Sequence, residues 1–118
     1  MKLILLTLIL LPNLVVAEPS NDNDRIELKS QEIVAILAHC ESSNRPNIVI
    51  MDTNGLRSYG LLQFQKWIWE HWTEYYALKD RQIMNPEHQK ELALKMVADG
   101  QGKVTWRNCW KKYNLESY

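Results

Sequence analysis

The positions of apolar residues divide the chain into stretches, and the spacing inside each stretch predicts an element. The first stretch, Leu3 to Val16, is uncharged and Leu-rich, follows Met1-Lys2, contains Pro12 and ends at Ala17. A basic start, an apolar middle and a small residue before a cut make a secretory signal, and the run falls short of the roughly 20 apolar residues of a membrane span. Residues 1–17 are therefore expected to be a signal peptide cleaved after Ala17. Residues 18–28 hold Pro, Ser, Asn and Asp with few apolar positions, which predicts a flexible leader. The folded domain is expected over 29–118.

Within it, Ser30 is placed to cap a helix, Glu32 suits the first turn, and Ile33, Ile36, Leu37 and Cys40 recur at helical spacing, so a first helix is expected to about Glu41. Ser42 to Asn47 is turn-rich. The short β-prone run Ile48 to Met51, followed by Asp52-Thr53-Asn54-Gly55, predicts an irregular connection or small hairpin. From Leu61 to Leu78 the apolar positions Leu61, Phe64, Trp67, Ile68, Trp72, Tyr75 and Tyr76 keep a helical period, which predicts a central, largely buried helix. Asn85-Pro86-Glu87 puts a cap, a Pro and an acid where a helix start favours each, and Gly100 and Gly102 are expected to stop that helix. Trp106, Cys109, Trp110 and Tyr113 share one face of a short terminal helix beginning near Thr105. The fold class read from these elements is mainly α, one small helical domain with a short irregular or β segment between its first two helices.

A domain of this size buries a modest fraction of its surface, so a cross-link helps it. An exported protein with two cysteines is read as carrying a disulfide, here Cys40 to Cys109. It would staple the first helix to the last and close a loop of about 70 residues, for which chain entropy gives about 4 kcal/mol. Fourteen basic residues balance fourteen acidic ones, which is no nucleic-acid signature. His39, His71 and His88 share no metal-ligand spacing with one another or with a cysteine pair, and neither a metal nor another cofactor is predicted.

Glu41 is the residue most suited to chemistry. Its turn angle sets it beside the Ile33/Leu37 edge of the apolar stripe, and it falls at a helix C-terminus, where unpaired carbonyls disfavour a carboxylate. Partial burial and that partial charge both raise its pKa, and a carboxyl protonated near neutral pH is what a general acid requires. The same residues also fit a frayed helix end with an exposed Glu.

Glu41-Ser42-Ser43, a turn-rich spacer, Gly55, and then Ser58-Tyr59-Gly60-Leu61-Leu62-Gln63-Phe64 resemble the lysozyme-like superfamily, and within it the lytic transglycosylases with the soluble-transglycosylase (SLT) domain. The resemblance covers residues 30–78 and extends more loosely to Trp106-Arg107-Asn108-Cys109-Trp110, which is similar to the end of animal-type lysozymes. It implies a lysozyme-like fold whose catalytic acid is Glu41, acting on the bond between N-acetylmuramic acid and N-acetylglucosamine. It implies substrate contacts from Ser58, Tyr59, Gly60 and Gln63, with Ser58 bonding the sugar and Gly60 letting the chain approach it. Of the aromatics, Trp69 lies off the main stripe and is the candidate to stack on a sugar ring.

A second carboxylate would serve hydrolysis, and Asp52 is the candidate, although Asp-Thr-Asn-Gly also explains Asp52 as a turn residue. Ser58 stands where the resemblance to retaining lysozymes would want an Asp. Without a partner, Glu41 can protonate the leaving oxygen and then take a proton from the muramic C6 hydroxyl, which leaves a 1,6-anhydro ring. The expectation is an exported, periplasmic or extracellular, monomeric lytic transglycosylase whose partner is the peptidoglycan glycan strand, with no nucleic acid and no lasting membrane insertion. Its rivals are a hydrolytic muramidase and a glycan-binding module without turnover. Tyr113-Asn114 follows the terminal helix rather than preceding it, so the family's Tyr-Asn pair is not assigned.

Overall fold

The computed structural model describes residues 21–118. The expected signal peptide, 1–17, and the first residues of the expected leader, 18–20, lie outside the described residues. The remainder is a mostly helical domain with a small three-stranded antiparallel sheet between its first two helices, in agreement with the coarse expectation.

Helix α1 (Asp22–Ser42) opens on Asn21, whose side-chain oxygen accepts the Asp24 N–H at 2.9 Å, with Asp22 and Asp24 in the first turn. Residues 22–28 are thus helical rather than a flexible leader. Ser30 is inside the helix, its hydroxyl donating to the Ile26 carbonyl at 2.8 Å instead of capping. Lengthening a helix that is already nucleated gains one hydrogen bond per residue fixed, and Asn21 and the two acids complement its positive end. Ile26 and Leu28 stay about half exposed, so no apolar period marks these turns. Further on, Ile33, Val34, Leu37 and Ala38 are buried. The helix ends where Ser43 and Asn44 take positive φ and their N–H groups close on the His39 and Ala38 carbonyls at 2.9 and 3.2 Å.

Strands β1 (Val49–Met51), β2 (Arg57–Tyr59) and β3 (Phe64–Gln65) follow, with Ile50 opposite Ser58 and Ser58 opposite Gln65. The Asp52–Leu56 turn is closed by the Asp52 N–H to the Leu56 carbonyl at 2.8 Å and the Gly55 N–H to the Asp52 carbonyl at 3.0 Å. Helix α2 runs only over Lys66–Tyr75, and of its residues only Trp69 and Thr73 are buried. The expected helix from Leu61 to Leu78 is therefore shortened at both ends. Leu61, Leu62 and Phe64 do enter the core, but in a turn and a strand whose backbone groups are taken up from a distance.

The agent is Gln89, fully buried on α3 (Pro86–Ala98). Its oxygen accepts the Leu62 N–H at 2.7 Å, and its nitrogen donates to the Tyr59 and Ile83 carbonyls at 2.8 and 2.5 Å. The Leu62 carbonyl in turn accepts the Trp106 indole N–H at 2.8 Å. A buried amide that satisfies three backbone groups fixes a conformation that local periodicity cannot encode.

α3 itself starts as the sequence predicts, with the Asn85 side chain accepting the Glu87 and His88 N–H groups and Pro86 in the first turn. It packs along α1 in the most extensive helix contact of the domain and is its core helix, through Leu92, Ala93, Met96 and Val97. Gly100, at φ +83°, closes it. Gly102 does not help to stop it; it opens α4 (Gly102–Thr105), and a Cβ there would lie 2.6 Å from the Trp110 ring. The expected terminal helix is divided at Trp106 into α4 and α5 (Arg107–Lys112), with a closing 3-10 turn at Leu115–Ser117. Trp106 and Cys109 are buried, whereas Tyr113 is exposed. The Cys40–Cys109 disulfide joins the end of α1 to α5 with its Cα atoms 5.9 Å apart.

Candidate functional site

A cleft of about 600 Å³ opens between the end of α1, the sheet and the α4–α5 junction. Glu41 lines it from α1, Asp52 and Asn54 from the hairpin turn, Gln63 and Gln65 from the segment that ends in β3, and Arg107 and Asn108 from α5. Glu41 is held there because its neighbour Cys40 is tied to α5 and because the left-handed Ser43 and Asn44 end the helix one residue after Ser42. The Ser42 hydroxyl, buried, donates to the Ala38 carbonyl at 3.0 Å, so the last turn stays closed up to the carboxyl.

Glu41 is half-buried, and burial, followed by the charge of Asp52, pushes its carboxyl up from 4.5 to about 7. Both causes act on the ionised form: desolvation removes its water, and a second carboxylate repels it. Among the described residues no side-chain donor reaches Glu41, so nothing offsets either cause.

Asp52 is organised differently. Its backbone builds the hairpin turn, and its side chain lines the cleft. One carboxylate oxygen accepts the Ser58 hydroxyl and, at 2.7 Å, the Gln65 amide. The sheet register makes this possible, because Ser58 and Gln65 are paired across β2 and β3. Gln65 also pairs with the Asn54 amide and accepts the Trp67 indole N–H at 2.9 Å. A polar wall from Ser58 to Trp67 therefore fixes Asp52 while Glu41 stays free.

The chain matches no family model, no curated protein and no solved structure.

Of the residues singled out in the sequence, Glu41, Ser58 and Gln63 come together at the cleft. Gln63 takes φ +54° and donates its amide nitrogen to the Gly60 carbonyl at 2.8 Å. Tyr59 and Gly60 are not among the residues lining the cleft. Tyr59 gives its carbonyl to Gln89 and lies under the Lys66 ammonium, 5.6 Å from its ring. Gly60 has a packing reason of its own: at φ +74°, a Cβ would sit 2.6 Å from the Gln89 amide nitrogen. Trp69 is in the core, edge-on to Phe64 at 5.2 Å, and is no stacking surface. Trp67, 61% exposed and hydrogen-bonded to the cleft wall, is the accessible indole instead. A residue off the stripe of a long helix was expected to face outward, but α2 begins only at Lys66, and its short buried face includes Trp69.

Asn54, Gln65, Gln89 and Arg107 were not singled out by sequence reasoning. For Gln65 a signal existed, since it alternates with Gln63 about the buried Phe64. For Gln89 none did, because its three partners are remote in sequence.

Proposed function

We propose that the protein is a peptidoglycan-cleaving enzyme, a lytic transglycosylase of lysozyme-like fold, exported to the cell envelope. The observation that carries this reading is Glu41, a half-buried carboxyl with a pKa of about 7 on the wall of an open polar cleft. Such a group is partly protonated at neutral pH, where it serves both as acid and, once emptied, as base. The resemblance of Glu41-Ser42-Ser43 and Ser58-Tyr59-Gly60-Leu61-Leu62-Gln63 to the SLT domain supplies the substrate class. Among the described residues no helix is long and apolar enough to cross a membrane.

In this mechanism Glu41 gives its proton to the glycosidic oxygen as the bond from the muramic C1 breaks. The emptied carboxylate then accepts the proton of the muramic C6 hydroxyl while that oxygen bonds to C1. The proton count on Glu41 is restored, a 1,6-anhydro end forms, and no water is consumed. Asp52 repels the carboxylate form of Glu41 and favours positive charge developing at C1. Two donors to one of its oxygens keep it oriented and blunt it as a nucleophile.

The presence of Asp52 in the same cleft favours one second reading, hydrolysis with a water held between the two carboxyl groups. Mass spectrometry of the products released from purified peptidoglycan separates the two, because the anhydro end is lighter by one water. Glu41→Gln is expected to abolish release while binding to wall sacculi persists. Unchanged release by that variant would end the catalytic reading in both forms.

A further inference from the structure

Beside the cleft, and sharing Arg107 with it, is a second hollow of about 500 Å³ between α4, α5 and the closing 3-10 turn. Its polar lining is Lys103, Arg107, Lys111, Asn114 and Glu116, set around Trp110. Three cations thus face one carboxylate. Glu116 is already engaged, accepting the Trp110 indole N–H at 3.0 Å and meeting the Lys103 ammonium at 3.8 Å. Arg107 and Lys111 have no ion-pair partner among the described residues.

The neighbouring cleft has the opposite sign. Glu41 and Asp52 lie along it, and among the described residues Arg107 is the only cation in its lining. A ligand spanning both hollows meets carboxylates at one end and a basic floor at the other. Such a field admits a neutral segment to the cleft and draws an anionic substituent to the far side.

We propose that the second hollow is an anion-binding subsite that takes a carboxylate of the peptides carried by the wall glycan. This rests on the cleft being where the glycan binds, and it adds a function for Lys103 and Lys111, which are outside the cleft. The subsite fixes which way the strand lies, with the peptide-bearing sugar toward Arg107. A planar guanidinium shared by both hollows suits a carboxylate at the boundary, and the two lysines add unspecific attraction behind it.

The test is co-sedimentation of the full protein and of Lys103→Glu/Lys111→Glu with wall sacculi at low and high salt. Three kinds of sacculi are compared: intact, with peptide carboxylates converted to amides, and stripped of phosphate-containing polymers. Binding of the wild type to intact sacculi is expected to weaken about tenfold on charge reversal at low salt, an effect that shrinks as salt screens the charges. Amidation is expected to weaken the wild type equally and to leave the variant nearly unaffected. Wild-type binding that ignores amidation but falls when phosphate polymers are removed would overturn the proposal, as would equal binding by wild type and variant, or no binding at all. Should the wild type bind as described but release no product, the subsite stands and the catalytic reading falls.

Discussion

At the scale of single residues, one proton on Glu41 links stability to the proposed activity. Its pKa in the fold, about 7, exceeds the ordinary 4.5, so between those values the folded chain holds a proton that the unfolded chain has lost. Stability therefore falls as pH rises through that window, by at most about 3 kcal/mol when Glu41 is fully ionised, and by less with residual solvent screening. Glu41→Gln is expected to be about as stable as the wild type at pH 4 and 1–3 kcal/mol more stable at pH 8, about the size of that penalty, measured by urea denaturation at both pH values. On the proposed mechanism, release of wall fragments should decline above about pH 7 for the same reason, since Glu41 then has no proton to give. Gly60 gives a second expectation. Gly60→Ala forces a Cβ against Gln89 in a left-handed conformation, and a loss of about 2–4 kcal/mol is expected in thermal or urea unfolding. Gln89→Ala is expected to cost a similar amount by leaving the Leu62 N–H without its partner. A Gly60→Ala variant with wild-type stability would show that the Gln89 anchor is slack.

At the scale of elements, two caps of the same chemistry should behave differently. Asn21 caps turns of α1 that project Ile26 and Leu28 into solvent, whereas Asn85 caps the helix that fills the core. Each loses about 1 kcal/mol of helix stability on replacement by Ala. Asn85→Ala is expected to lower the melting temperature of the whole domain. Asn21→Ala should leave it unchanged and only speed amide exchange over residues 24–30, because those turns open without unfolding the core. A drop in melting temperature for Asn21→Ala would mean that the exposed turns contribute to global stability. The same distinction explains which elements were readable in the sequence. The Asn85-Pro86-Glu87 start and the Ile48–Met51 hairpin are encoded by adjacent residues, and so is the inner face of α1. The first turns of α1 carry no apolar period to read. Leu61 to Phe64 carry a helical one, but Gln89 and Trp106 bind Leu62 from distant segments and hold that stretch as a turn. In the site, the place of Glu41 at a helix end fitted an exposed residue as well as a half-buried one, and the Glu41-Ser42-Ser43 and Ser58 to Gln63 stretches together singled it out. The pairing of Ser58 and Gln65 around Asp52 was not, since it depends on the register of strands too short to predict.

At the scale of the whole molecule, the cleft is built from parts distant in the chain, and one covalent bond joins two of its walls. Cys40 and Cys109 are 69 residues apart, and Glu41 follows one while Asn108 precedes the other, both lining the cleft. Loop closure in the unfolded chain is worth about 4 kcal/mol for a loop of this length, a large part of the stability of so small a domain. The bond also limits how far the end of α1 can move from α5, so its loss should affect the cleft before the core formed by α1 and α3. Cys40→Ala/Cys109→Ala is expected to unfold at a lower urea concentration, with a loss of about 3–4 kcal/mol at pH 7. At a temperature where that variant is still folded by circular dichroism, the proposed release of wall fragments is expected to fall at least tenfold. Its Glu41 pKa, followed by NMR, should move back toward 4.5, because a wall that swings open lets water reach the carboxyl and separates it from Asp52. A pKa that stays near 7 in the double variant would show that the short turn after Ser42, and not the disulfide, holds the acid in place.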